Sequence, residues 1–321
     1  DLRMSRGLGD VYKRQICDQG VSAYAVLEDG SLELMNVASI NGMRGCHICV
    51  TSDNRFLVVS GYHDGKITVL HINADGSAGF IADEIFHKGI GSVAERNFRP
   101  HVSCVRPTPD GKYLCAVDNG IDQIKIYRPT ERTSKLDLVD VLRCVRESGP
   151  RLIKFSPNGK FAFVNYELKN EIQVYSYDGS GKNPKFELLQ TESTLASHAV
   201  SYTHLRAHED EAHDATSGMC LSEDGKYLFT STAGENTVAM YKVDEETGHI
   251  ERQFVLPISG EYPKDLDVFP DGRHLAVVNH ESNSITTFSI DYEKKLLIMK
   301  GKPLKVETPN SIIFHKCDYA E

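Results

Sequence analysis

The chain has 321 residues, 40% of them apolar, and 45 acidic against 36 basic side chains give a formal charge of -9. A large core can be buried, whereas nucleic acid and anionic membranes are poor partners for an acidic chain with no basic block. Any anionic ligand would need a local cluster of cations. No apolar run reaches the roughly eighteen residues a membrane helix needs, and the basic opening at Arg3, Arg6, Lys13 and Arg14 leads into no signal-peptide core. The cysteines are scattered, several within apolar runs, as reduced thiols of a cytoplasmic protein would be. Only Cys46 and Cys49 lie close together, and strand spacing turns their sulfurs to opposite faces, against a metal site.

Residues 1–15, DLRMSRGLGDVYKRQ, fit no strand pattern and read as a foreign leader of the kind translated from sequencing adapters. From Val21 the text turns regular: VSAYAV, a turn at Glu28-Asp29-Gly30, then SLELMNVASI, the outer half of a repeat. The clearest full copy of that repeat runs from Gly149 to Tyr175. An alternating run from Leu152 to Phe155, a Pro-Asn-Gly turn, a β-rich run from Phe161 to Asn165, a polar bend and a third run from Ile172 to Tyr175 spell an antiparallel meander. Full units begin near Gly45, Pro100, Pro150, Ser217 and Pro263, with turn anchors Asp53, Asp110, Asn158, Asp224 and Asp271 spaced by 57, 48, 66 and 47 residues.

Four strands per unit, no helical period and a turn at each junction predict an all-β chain, a β-propeller of four-stranded antiparallel blades in one domain over residues 16–321. The fragment Pro309 to His315 has the form of an inner strand, so the two ends are expected to meet. That gives about six blades here and a seven-bladed parent fold whose amino-terminal blade is truncated. The first long spacing holds residues 80–100, a connection rich in charge and glycine before His101, expected to wall one mouth of the ring or to run over its surface. The second holds His198, His204, His208 and His213. Because VSYTHLRAHE again looks adapter-derived, an anomalous insertion or replacement at about 198–213 is expected there, and no metal site.

In a propeller the start of each first strand and the end of each second strand open on one face. First-strand starts fall at His47, His101, Arg151, Lys264 and Asn310, and second-strand ends at His63, Asp118, Glu167, Thr232 and His280. This set is polar and partly cationic, while the Asp-Gly turns at the other end vary little, as structural turns do. Arg151 can grip a carboxylate or phosphate and Glu167 can act as a general base, or the two can tie the mouth together as a salt bridge. His101 can move a proton or stabilise an oxyanion, or sit as a hydrogen-bonded turn histidine. His63, Asp118, Lys264 and His280 are the candidate substrate-binding residues, with Asp118 and Asp122 also able to order their neighbours. No nucleophile elbow, P-loop, dinucleotide fingerprint or zinc motif is present, so no cofactor is expected.

The segments RPHVSCVRPTPDGKYLCAVDNGIDQIKIY, GPRLIKFSPNGKFAFVNYELKNEIQVY and YPKDLDVFPDGRHLAVVNHESNSITTF resemble the seven-bladed lactonase family, which includes propeller-type 6-phosphogluconolactonases and the fungal carboxy-muconate lactonising enzyme. The resemblance covers about residues 20–195 and 217–316. It implies His101, Arg151 and Glu167 as the catalytic set, a small anionic sugar lactone as partner, and no required metal. The implied reaction is hydrolysis of 6-phospho-glucono-1,5-lactone, or ring opening and closure of a related acidic lactone. Glu167 would activate water or orient His101, and Arg151 would hold the substrate's anionic group or the developing oxyanion. Ser103 stands where many members carry a second histidine, and Thr232-Ala233 where many carry Asn-Arg. A lactonase for another acidic lactone, and a propeller that binds without turnover, therefore stay open.

Overall fold

The computed structural model describes residues 20–27, 29–92, 97–130, 134–196 and 214–314, together with the backbone of Leu2–Arg3. Otherwise the leader at 1–15, and the histidine-rich stretch at about 198–213, lie outside the described residues. The chain divides into two compact units, one up to Gly149 and one from Pro150. Among the described residues no helix is long and apolar enough to cross a membrane.

The first unit holds three antiparallel sheets. The first contains β1 (Leu2–Arg3), β2 (Gly20–Val26) and β3 (Leu32–Ser39). The second runs β4 (Gly45–Val50), β5 (Phe56–Gly61), β6 (Lys66–Ile72) and β7 (Ala78–Phe86), and the third β8 (Val102–Pro107), β9 (Leu114–Asp118), β10 (Gln123–Thr130) and β11 (Lys135–Arg143). The second and third sheets pack through Cys49, Phe56, Val58 and Val69 against Val102, Val105, Leu114 and Ala116. Middle strands such as FLVVSG and LCAVD are buried on both faces, which is why they read as near-continuous apolar runs.

The second unit repeats the plan. Its sheets are β12 (Pro150–Phe155), β13 (Phe161–Tyr166), β14 (Glu171–Asp178) and β15 (Lys185–Ser193); then β16 (Ala215–Leu221), β17 (Tyr227–Ala233), β18 (Thr237–Val243) and β19 (Ile250–Pro257); then β20 (Pro263–Val268), β21 (His274–Asn279), β22 (Ser284–Asp291) and β23 (Leu296–Met299), with β24 (Leu304–Lys305) also paired to β22. Phe163, Val174, Met219 and Tyr241 fill the first junction, and Phe229, Met240, Leu275 and Phe288 the second.

Two expectations need correction. Residues 80–86 are not loop: they form most of β7, whose alternating exposure is that of an outer strand, so the connection begins at His87. Residues 311–314 form no ladder, because side chains take their N–H groups: Asp265 accepts from Ile312 at 3.1 Å and Asp267 from Phe314 at 2.8 Å.

The turn between first and second strands is built one way four times. A hydroxyl donates to an Asp or Asn two residues on and accepts the N–H that opens the second strand: Thr51 with Asp53 and Phe56, Thr108 with Asp110 and Tyr113, Ser156 with Asn158 and Phe161, Ser222 with Asp224 and Tyr227. The turn needs a left-handed residue, supplied by Gly111 (φ 68°), Gly159 (φ 71°) and Gly225 (φ 71°), and in the second sheet by Asn54 (φ 55°). In the last sheet Phe269 replaces the hydroxyl, and Asp271 alone caps the turn through Arg273 and His274.

Candidate active site

At the opposite end of each sheet after the first, the first strand carries a bulge. Cys46, Ser103, Arg151 and Lys264 have no opposite residue on the second strand, and in the fifth sheet Ser217 and Gly218 are skipped. Bulges re-aim a side chain, and these fall where the residue type changes most from copy to copy. The register also corrects the grouping of strand starts. Arg151 and Lys264 share the bulge position, His101 stands two residues before its bulge, and His47 stands one after and is buried. Likewise Glu167 and His280 follow the last residues of β13 and β21, as Tyr62 follows β5, whereas Asp118 ends β9 itself.

In the first unit His101 is held at three points. Its N–H donates to Asp118 Oδ1 at 2.8 Å, its Nδ1 lies 2.6 Å from the Tyr62 carbonyl oxygen, and its ring stacks on Tyr62 with centroids 4.4 Å apart and planes 16° apart. A carbonyl only accepts, so Nδ1 carries a proton and any lone pair on the ring lies on Nε2. No described group hydrogen-bonds that nitrogen. Phe98 meets the same ring edge-on at 6.1 Å.

Behind His101 lies a buried network. Asp118 Oδ1 also accepts from Gly120 N at 3.1 Å, and Oδ2 accepts from His87 Nδ1 at 2.6 Å, with both side chains fully buried. His87 Nε2 in turn accepts from the Tyr127 hydroxyl at 3.1 Å. Burial pushes the His87 imidazole below its usual range, against the pull of Asp118, which suits the neutral tautomer these partners require. Asp118 is among the candidate substrate contacts, with ordering of its neighbours as the alternative. Its carboxylate is out of solvent and engaged by three protein donors, so it positions the His101 backbone.

The loop after β7 is pinned on the far side by Asn97, whose amide donates to the Asn119 carbonyl at 2.7 Å and to Asp122 Oδ1 at 3.0 Å. Asp122 also accepts from the backbone of Glu147, Ser148 and Gly149, which secures the chain at the end of this unit. Gly120 is required by close approach: a Cβ there would sit 1.8 Å from the Arg99 carbonyl oxygen and 2.7 Å from the His101 ring. His63 is exposed, and its carbonyl accepts from Arg99 Nη1 at 2.9 Å.

In the second unit Arg151 Nη1 donates to Glu167 Oε2 at 2.7 Å, with the side chains 24% and 6% exposed. A carboxylate so deeply placed needs a cation, and the guanidinium fork supplies one while keeping part of its surface in water. The bulge that aims Arg151 is secured by Asn165, which accepts the Leu152 N–H at 2.8 Å and donates to the Ser217 carbonyl at 3.1 Å. Lys264 donates to Asn310 at 2.6 Å, and His280 Nδ1 to the Pro309 carbonyl at 3.2 Å, so both also hold the segment after β24. Thr232 and Ala233 are buried at the end of β17.

Sequence reasoning missed His87, Tyr62, Asn97 and Gly120. His87 lies 31 residues from its partner Asp118, a pairing no local motif announces. Gly120 had a legible signal in the Asp-Asn-Gly run of VDNGIDQI.

Comparison with known proteins bears on this geometry. A family profile described as a lactonase, seven-bladed beta-propeller, matches residues 11–314. A 6-phosphogluconolactonase of Bacillus subtilis is 27% identical over 298 residues, 92% of this chain and 80% of that protein. A Bacteroides fragilis crystal structure, provisionally named a 6-phosphogluconolactonase, has a TM-score of 0.78 at 30% identity over 91% of this chain and 79% of its own. A periplasmic gluconolactonase of Pseudomonas aeruginosa, at 24% identity and a TM-score of 0.81 over 92% of this chain and 80% of its own, shares the fold. The all-β chain of four-stranded antiparallel sheets is thus a β-propeller, as its repeats predict.

Proposed function

This chain belongs to the seven-bladed β-propeller lactonase family, and from that premise we propose that it hydrolyses a 1,5-lactone of a sugar acid, with 6-phospho-glucono-1,5-lactone as its substrate. The supporting observation is the state of His101: a proton fixed on Nδ1 by the Tyr62 carbonyl, a stacked ring, and a lone pair on Nε2. Such a ring is a ready general base.

In the proposed step Nε2 takes a proton from water as its oxygen bonds to the lactone carbonyl carbon, and negative charge moves to the carbonyl oxygen. Collapse of that tetrahedral intermediate breaks the bond to the ring oxygen, which leaves with the proton from Nε2. The product is the open-chain acid, and the imidazole returns to its starting tautomer. In the second unit the Arg151–Glu167 pair is proposed as an anion-holding group in its own right, with Glu167 orienting the guanidinium. Glu167, implied by the resemblance to activate water or orient His101, takes here the ion-pair role that was the other expectation for it. His63 is a proposed substrate contact beside His101 in the first unit, while Lys264 and His280, in the second, hold the segment after β24. Cys104, Cys115 and Cys220 are buried free thiols, which supports a reducing, cytoplasmic setting.

The test is turnover of freshly prepared 6-phospho-glucono-1,5-lactone, corrected for its spontaneous opening. Protein-dependent, saturable hydrolysis is expected. No acceleration of this or the unphosphorylated lactone would sink the reading and favour a propeller that binds without turnover.

A further inference from the structure

A chain of charge -9 with no basic block can hold an anion only where cations gather locally. One such gathering lies in the first unit, beside His101. By the strand register Arg44 stands two residues before the bulged Cys46, as His101 stands before Ser103. Gly45 pairs with Gly61, which brings Arg44 to the end of the sheet where Tyr62 and His63 leave β5. The Arg44 loop is tied there by the Met43 N–H, which donates to Asp64 Oδ2 at 3.0 Å. Arg99 reaches the same place from the other side, through its 2.9 Å hydrogen bond to the His63 carbonyl.

The manner in which these cations are held matters more than their number. Arg99 is fixed by neutral partners, a main-chain carbonyl and the face of Phe98, 5.7 Å from its guanidinium carbon. Those contacts orient the guanidinium without neutralising it, and its second terminal nitrogen meets no carboxylate among the described residues. Arg44 is exposed and has no ion pair among the described residues. The nearby lysines are spent otherwise: Lys66 is paired with Glu84 and bonded to two carbonyls, and Lys125 donates to the Lys88 carbonyl. Phe98 in turn meets the His101 ring, so Arg99 adjoins the group assigned to proton transfer.

The structure assigns Arg44, Arg99 and His63 as a subsite for the phosphate monoester of a phosphorylated sugar lactone, and the assignment rests on the hydrolase reading of His101. A dianionic phosphate matches two guanidinium groups flanking an imidazole, whereas a neutral hydroxymethyl group in its place would leave both charges unanswered. The charged and titratable neighbours of His63 are Arg44, His101, Arg99 and Asp64. Although the residue is exposed, partial desolvation of its ring first, and then Arg44, His101 and Arg99, hold the imidazole below the usual range, with Asp64 opposing. A bound phosphate would reverse part of that effect, so binding should be accompanied by proton uptake near neutral pH.

The experiment compares the intact protein with Arg99→Gln and Arg44→Gln on phosphorylated and unphosphorylated glucono-1,5-lactone. Each substitution is expected to lower kcat/KM for the phosphorylated lactone roughly 10–100-fold, mainly through KM, and for the unphosphorylated lactone by less than about threefold. Arg99→Lys, which keeps the charge but loses the fork, should fall between. Equal losses on both lactones, or none on either, would overturn the subsite while leaving the hydrolase reading intact. So would the same arginine-dependent preference for a carboxylate-bearing lactone in place of the phosphorylated one. If neither lactone is turned over, titration with inorganic phosphate still decides: arginine-dependent binding with proton uptake supports the subsite, and no binding overturns it.

Discussion

The two ends of each sheet obey different rules. At the turn between first and second strands, the pairs Thr51–Asp53, Thr108–Asp110, Ser156–Asn158 and Ser222–Asp224 perform the same hydrogen-bonding task with nearly the same residues. At the bulged end, equivalent positions hold Cys46, Ser103, Arg151 and Lys264, and nothing repeats. Repetition marks where the fold has one solution to a backbone problem. Variety marks where the backbone is already secured and the side chain is available for chemistry.

That contrast can be tested by substitution, beginning where the largest effect is expected. Asp118→Ala removes the carboxylate on which His87, the His101 N–H and the Gly120 N–H converge, leaves three buried donors unsatisfied, and should cost about 3–5 kcal/mol in denaturant melting, with activity lost as well. An effect below about 1 kcal/mol would show the network to be dispensable. Gly120→Ala forces the Arg99 carbonyl and the His101 ring away from the new methyl group, and should reduce lactone turnover on the order of 100-fold. Retained turnover would mean that the placement of His101 tolerates such displacement.

Thr108→Val acts at the other end. It deletes one turn hydroxyl and should cost about 1 kcal/mol while turnover stays within about twofold. Loss of turnover there, with stability kept, would break the division between the two ends. The smallest effect concerns pH. The folded state lowers the pKa of His87, so the unfolded chain binds the proton more readily, and this stability is fully present above about 6.5 and lost as the pH falls. The midpoint of thermal unfolding should drop between pH 7 and pH 5, and His87→Gln should flatten that part of the profile.

Much of this architecture is legible in the text. Alternation, Asp-Gly turns and their spacing are local, and the five full repeat units begin at or within two residues of where β4, β8, β12, β16 and β20 do. The candidate set was legible only in part. Arg151 and Glu167 could be paired from one repeat copy, because a bulge and a strand end of one hairpin bring them to 2.7 Å. The grouping of His47 with His101 failed because the two stand three residues apart relative to their bulges, His47 one after and His101 two before, so they reach different places at the strand end. Asp118 ends a second strand, so the sequence offers it either as a ligand contact or as a group that orders its neighbours. Only the loop carrying His87, folded back over β9, makes it a buried hub.

The most direct test of the central claim is single-turnover hydrolysis of 6-phospho-glucono-1,5-lactone by His101→Gln beside the unaltered protein, with thermal melting to show that both are folded. Loss of a positioned general base predicts a rate lower by roughly 10²–10⁴-fold at an unchanged melting midpoint. A folded His101→Gln protein that hydrolyses the lactone at the original rate would contradict the account.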